Sequence, residues 1–221
     1  MTTVFEDFRT RSSEVDVYFD FVIALAERAV LLQAAPGQNP TINLANDELL
    51  KTLKASCYLL LYNLVESTMR NAVEAIFDEL RTTRTSFDAC RLELKIEVLK
   101  NFRKRNSDSL LTKLAAIASD VVHETFVASE AFSGNLDGRA IRETARRYGF
   151  AQPTGSQFHL LLTVKNARND LAHGVKSFVE VGRDATPDDL KDAKAQTIDI
   201  LNQTLTNIEN YLTGQLYLAA P

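Results

Sequence analysis

Three histidines occur in the chain, His123, His159 and His173, and the last closes the string Arg168-Asn169-Asp170-Leu171-Ala172-His173. An imidazole changes charge near neutral pH, so it can act as a general acid or base. A guanidinium is a permanent cation whose parallel N–H groups grip an oxyanion. Together they read as acid–base chemistry on an anionic group. Taken alone the spacing is weak evidence. The plain alternative is a helix ending on a solvated histidine, which the helix dipole favours at that end.

Other chemistries find less support. The histidines are scattered and no HExxH or CxxC pairing exists, so neither a metal site nor a cofactor is expected. GxGxxG, Walker-type and GxSxG loops are also absent.

The elements that must position Arg168 and His173 follow from local pattern. Residues from Ser156 to Ala172 or His173 read as a helix stopped by Gly174. Five positions along a helix amount to about 140° beyond a full turn, so Arg168 and His173 do not share a face. His173 lies instead over Asn169 and Asp170, on the polar side with Lys165 and Asn166. Leu160, Leu161, Val164, Ala167 and Leu171 form the apolar stripe, and Arg168 stands at its edge. An arginine beside a core stripe needs an acceptor or a bound anion, and Glu66 is the preferred partner. Glu66 and Arg70 are spaced i, i+4 and can pair along their own helix. A compact site then requires either the Arg168 side chain curling over the helix end or a second copy of the helix, which implies a homodimer.

The remaining pattern is helical. Helix one is expected from Thr3, with a Thr3–Glu6 capping box, until the pattern fails at Ala35-Pro36-Gly37. A loop runs through Asn46. Helix two, to about Leu80, contains no Gly or Pro and is apolar almost all round from Tyr58 to Val65, the mark of a central buried helix. Segments near Phe87–Phe102 and Ser109–Val127 look helical, with Lys100 to Arg105 as an exposed turn between them. A short helix spans Asp137 to Tyr148. Val175 to Val181 reads as extended, and Thr186-Pro187-Asp188-Asp189 opens a last helix to about Tyr217. No internal repeat is present.

Composition agrees. The 221 residues include 8 Gly and 5 Pro, too few for a loop-rich fold, and can bury a sizeable core. A net charge of −4 argues against bulk coating of nucleic acid and leaves room for a local basic patch. One such patch is Arg139, Arg142, Arg146 and Arg147, opposed by Glu143. It reads either as a solvated face or as a phosphate-tracking surface with Tyr148 as a stacking platform for a base, joined by Lys165. Cys57 and Cys90 read as buried small hydrophobes in a reducing compartment. No run is long enough to span a bilayer and the N-terminus carries acid rather than a leader's base, so a cytoplasmic, membrane-free protein is expected.

The string Arg168-Asn169-Asp170-Leu171-Ala172-His173-Gly174 resembles the signature of HEPN domains. Further stretches resemble one prokaryotic HEPN nuclease subfamily: Leu60 to Thr68, Gly134-Asn135-Leu136-Asp137 with Tyr148-Gly149, and Ser177 to Arg183. The resemblance covers most of the chain. It implies an all-α HEPN-type bundle of long antiparallel helices with additional short ones, forming a single domain over residues 1–221. A variable helical insertion would lie at about 81–136 and the motif helix at about 156–173. It also implies a metal-independent endoribonuclease in which the Arg–His helices of two subunits meet, as in toxins and abortive-infection effectors with an antitoxin or defence-system partner. In such a site His173 is the general base or acid and Arg168 the clamp on the phosphate. Asn169 orients His173 or the phosphate. Asp170 either tunes the imidazole or is a solvated helix residue, and Glu66 with Arg70 is supporting structure. Some HEPN toxins carry a tyrosine two residues after the histidine, where a partner enzyme modifies it. Here that position is Val175, so regulation by that route is not expected. The competing readings are a non-catalytic HEPN scaffold that binds RNA, a nucleotide or a protein, and a helical interaction protein unrelated to RNA.

Overall fold

A computed structural model describes residues 1–30, 36–37, 47–103, 132, 135–155 and 158–219. The described residues are all-α, with no strand among them and a single isolated bridge between Cys90 and Leu218. In chain order they form α1 (Thr2–Ala26), α2 (Asp47–Thr82), a 3-10 turn (Phe87–Ala89), α3 (Leu92–Arg103), α4 (Gly138–Tyr148), α5 (His159–Ala172), α6 (Phe178–Arg183) and α7 (Pro187–Thr213). The loop through Asn46, the helix expected at Ser109–Val127 and His123 lie outside the described residues. None of the described helices is long and apolar enough to cross a membrane.

Helix α2 has the predicted character. Leu61, Leu64, Val65, Met69, Val73, Ile76, Phe77 and Leu80 are all buried along it. Cys57 and Cys90 are buried and free, and burial pushes the Cys57 thiol up to about 12. Helix α1 stops well before Pro36. Arg28 takes a positive φ of 59°, and the Ala29 N–H donates to the Ala24 carbonyl at 2.8 Å, closing the end that a glycine usually closes.

Two other expectations are corrected. Lys100 to Arg103 is not a turn but the end of α3, where the exposed Lys100 donates through Nζ to the buried Glu97 at 2.7 Å. The stretch expected to be extended from Val175 to Val181 folds in its second half as α6. Ser177 Oγ accepts from the Glu180 N–H at 3.2 Å while the Glu180 carboxylate accepts from the Ser177 N–H at 2.7 Å. This reciprocal cap outweighs the strand-like run Phe178-Val179-Glu180-Val181.

The chain divides into two compact units. One holds residues 1–6, 66–155 and 200–221, the other residues 7–65 and 156–199. In the first unit the core is aromatic: Phe77 meets Tyr148 edge-on at 6.1 Å and Tyr211 meets Tyr217 at 6.2 Å. Tyr211 donates its hydroxyl to the Tyr148 carbonyl at 2.7 Å, which satisfies both buried groups. In the second unit α1 and α7 run antiparallel, because Lys191 pairs with Glu27 and Lys194 with Asp16, at 2.5 and 2.8 Å. Gly182 of α6 lies so close to the Lys51 carbonyl of α2 that a methyl group would collide with it. This second unit carries the motif helix.

Candidate active site

The sequence His159–Ala172 forms α5 because its apolar positions recur at helical spacing, and Leu161, Val164 and Ala167 are buried as the stripe requires. Its end is built by a glycine. Gly174 has φ of +65°, its N–H donates to the Leu171 carbonyl at 3.3 Å, and the Val175 N–H donates to the Asp170 carbonyl at 2.8 Å. These two bonds make a Schellman turn, and His173 is the residue at which the helix ends. The His173 side chain is exposed there, with no hydrogen-bond partner among the described residues.

Arg168 is held from two sides. Its guanidinium carbon lies 4.7 Å from the centroid of the Tyr62 ring, and its Nη1 donates to Asn169 Oδ1 at 2.9 Å. Tyr62 is 1% exposed, so the ring offers a fixed, desolvated face where a cation–π contact is strongest. The acceptor expected of Glu66 is therefore supplied by Asn169, an adjacent carboxamide, and by an aromatic face. Glu66 instead accepts from Arg70 Nη2 at 2.8 Å within the other unit. Asn169 thus orients the arginine through its side chain and takes the His173 N–H through its carbonyl, at 3.0 Å.

Asp170 has a partner that the helix pattern does not reveal. Lys176, just past the turn, places Nζ 2.8 Å from Asp170 Oδ2. That hydrogen bond raises the ammonium pKa of Lys176. The pair ties the last turn of the helix to the residue just past its end, so the Asp170 carboxylate already has a cationic partner.

The basic helix divides. Arg142 and Arg146 are exposed. Arg147 turns inward and pairs with Glu97, 3% exposed, at 3.4 Å, while its Nη2 donates to Thr144 at 3.2 Å. Tyr148 is 4% exposed and packed edge-on against Phe77, which corrects its reading as a stacking platform. Burial also raises its hydroxyl far above the usual phenol value. An aromatic at the end of a basic run looks exposed in sequence, but it occupies the apolar side of α4 with Ile141, Thr144 and Ala145.

Arg168, Asn169, Asp170, His173 and Lys165 therefore belong to one unit, and Glu66, Arg70, Arg142, Arg146, Arg147 and Tyr148 to the other. Sequence reasoning missed Tyr62, Lys176 and the Ser177–Glu180 cap. Only the last had a visible signal, Ser-x-x-Glu. Among the described residues no three His, Cys, Asp or Glu side chains gather as a metal site would require.

Compared with known families, the chain matches the family model described as HEPN_MAE_28990-like HEPN over residues 1–217. No curated protein and no solved structure matches it.

Proposed function

Because the chain belongs to the HEPN_MAE_28990-like HEPN family, we propose that it is a metal-independent endoribonuclease whose site is shared by two copies of the chain. The observation that carries this reading is the pairing of an anchored cation with an unanchored imidazole at one helix end. Arg168 is fixed by Tyr62 and Asn169, while His173 faces solvent.

RNA supplies its own nucleophile, so the site needs an acid or base and a fixed charge. The 2′-oxygen attacks the neighbouring phosphorus and the bond from phosphorus to the 5′-oxygen breaks. The products are a 2′,3′-cyclic phosphate and a 5′-hydroxyl. His173 takes the proton from the 2′-hydroxyl or returns one to the leaving oxygen. Arg168 stabilises the charge that grows on the non-bridging oxygens, with Nη1 on Asn169 and its other donors left for phosphate. The two side chains leave α5 about 140° apart, so two copies bring one chain's Arg168 beside the other's His173 more readily than one chain can. In the cell this activity fits a toxin or phage-defence effector, restrained by an antitoxin or a defence-system partner.

The test is total RNA incubated with the purified chain in EDTA. Wild type is expected to fragment the RNA, and identical patterns from wild type and His173→Ala would remove the proposal. A monomer at micromolar concentration would remove the shared site. Growth arrest by wild type, relieved by Arg168→Ala or His173→Ala, is the expected cellular outcome.

A second reading, a non-catalytic scaffold for RNA, nucleotide or protein, draws on one observation. No side chain among the described residues orients the His173 imidazole. Binding that persists in the Arg168→Ala, His173→Ala double variant, without cleavage by wild type, would favour it.

A further inference from the structure

In the unit that carries the motif, α5, α6 and the start of α7 enclose a groove of about 610 Å³. That volume lies in the range of small-ligand pockets. Leu160, Ala167, Val181 and Ala193 supply apolar walls. Tyr58 also lines the groove, and it is 6% exposed with no hydrogen bond to its hydroxyl among the described residues. A phenol buried to this degree ordinarily has a partner.

The polar side chains around the groove fall into two sets. Asp170 is taken by Lys176, Glu180 by the Ser177 cap and Asp189 by Thr186. Asn166, Arg183 and Asp184 make no hydrogen bond or ion pair among the described residues. The groups left open are thus a phenol, a carboxamide, a guanidinium and a carboxylate around apolar walls. This set matches a nucleotide. A carboxamide donates and accepts along a base edge, a carboxylate accepts from exocyclic amino groups, and a guanidinium takes a phosphate. Unpaired RNA bases are read on such edges when they leave the stack.

We infer that this groove takes one unstacked RNA base beside the phosphate that is cut, and that it prefers bases with amino groups over uracil. Asp170 links groove and site, because it lines the groove and stands three residues before His173. The preference follows from Asp184, a carboxylate acceptor: adenine, cytosine and guanine offer amino donors, whereas uracil's one ring N–H lies between two carbonyl oxygens that repel a carboxylate. The inference rests on the RNA-cutting reading given above, which supplies the RNA.

The test needs no cleavage. Full-length wild type is titrated with AMP, CMP and UMP while backbone amide signals are followed by NMR, and oligoadenylate is then added in competition. AMP and CMP are expected to shift amides around Asn166 and Val181 and to bind about threefold to tenfold more tightly than UMP, the worth of one hydrogen bond. Oligoadenylate is expected to displace AMP. Asp184→Asn should erase the preference, and Tyr58→Phe and Asn166→Ala should each weaken AMP by a similar factor. Asn166 is exposed, so its variant keeps the test valid if Tyr58→Phe fails to fold. Equal affinity for AMP and UMP, shifts confined to other regions, or variants without effect would overturn the inference. AMP that oligoadenylate cannot displace would overturn the RNA-base assignment and leave a free-mononucleotide site. A failed groove leaves RNA cutting by wild type untouched. Conversely, wild type that spares RNA but binds AMP selectively removes the nuclease reading and not the groove.

Discussion

The guanidinium of Arg168 lies over the ring of Tyr62, with 4.7 Å between its central carbon and the ring centroid. The cation comes from the motif helix α5 and the ring from helix α2. The guanidinium is thereby held in one orientation, and under the proposed RNA-cutting function this would lower the cost of ordering it against a phosphate.

Replacing the ring should loosen the cation. A cation–π contact contributes about 0.5–2 kcal/mol, so Tyr62→Leu is expected to slow RNA cleavage by about threefold to thirtyfold. Tyr62→Phe keeps the aromatic face and should retain most of the rate. The comparison is made with labelled single-stranded RNA below the melting temperatures of both variants. Equal losses in the two would show that the ring face plays no part.

Two glycines should respond differently to alanine. Gly182→Ala drives a methyl group into the Lys51 carbonyl, a backbone atom that cannot swing aside. Gly174→Ala meets no neighbour but must hold a φ of +65°. Overpacking costs about 1–3 kcal/mol and the left-handed conformation about 1–2 kcal/mol, each kcal/mol lowering the melting temperature of a chain this size by about 2–4 °C. Both variants should melt earlier in calorimetry, and Gly174→Ala should also disturb His173 and slow cleavage.

Acid should weaken the motif-bearing unit through its helix caps. Hydrogen bonds from Ser177 hold the Glu180 carboxyl below its usual value, and bonds from Thr186 do the same for Asp189. A carboxyl depressed in the folded state stabilises it above the unfolded pKa, and that stability is lost as pH falls through the folded pKa. Melting temperature is therefore expected to fall as pH drops below the ordinary carboxylate range. Glu180→Gln with Asp189→Asn should flatten that limb. An unchanged acid limb in the double variant would assign the effect elsewhere.

The two thiols should be inert in the native chain. Burial pushes Cys57 up to about 12 and raises Cys90 as well, leaving almost no thiolate at neutral pH. Iodoacetamide is expected to modify neither until denaturant is added, as mass spectrometry would show. Rapid native labelling of Cys57 would contradict its placement in α2.

Arg147 should separate from its neighbours. Its partner Glu97 is buried, so Arg147→Ala is expected to lower stability by about 1–3 kcal/mol in denaturant melts. Arg142→Ala and Arg146→Ala should leave stability near wild type. If the exposed face tracks phosphate, each should reduce the salt dependence of RNA binding by about one counterion. An unchanged salt slope would leave α4 as a solvated face.

Where information is local, the sequence carried it. The Gly- and Pro-free run of α2, the short span of α4 from about Asp137 to Tyr148, the Thr186-Pro187 start of α7 and the Gly174 stop of α5 all depend on neighbours a few residues apart. The motif itself was legible too, because Arg168 and His173 lie on one helix whose 3.6-residue period sets their divergence. Helix α1 ends earlier than its apolar pattern suggests, because its stop rests on Arg28 at positive φ, for which no glycine gives warning. Helix α6 was hidden because its residues favour a strand while its cap favours a helix.

Only tertiary structure decided what each side chain meets. Arg168 could have been satisfied by any acceptor near its stripe, and the packing of α5 on α2 chose the Tyr62 ring. Tyr148 ends a basic run, yet α4 turns that side of the helix into the core. Such pairings join positions far apart in the chain, and periodicity along a single helix states which face is buried but not what lies opposite it. The string from Arg168 to His173 named the candidate groups, and the packing around it determined which of them is held still.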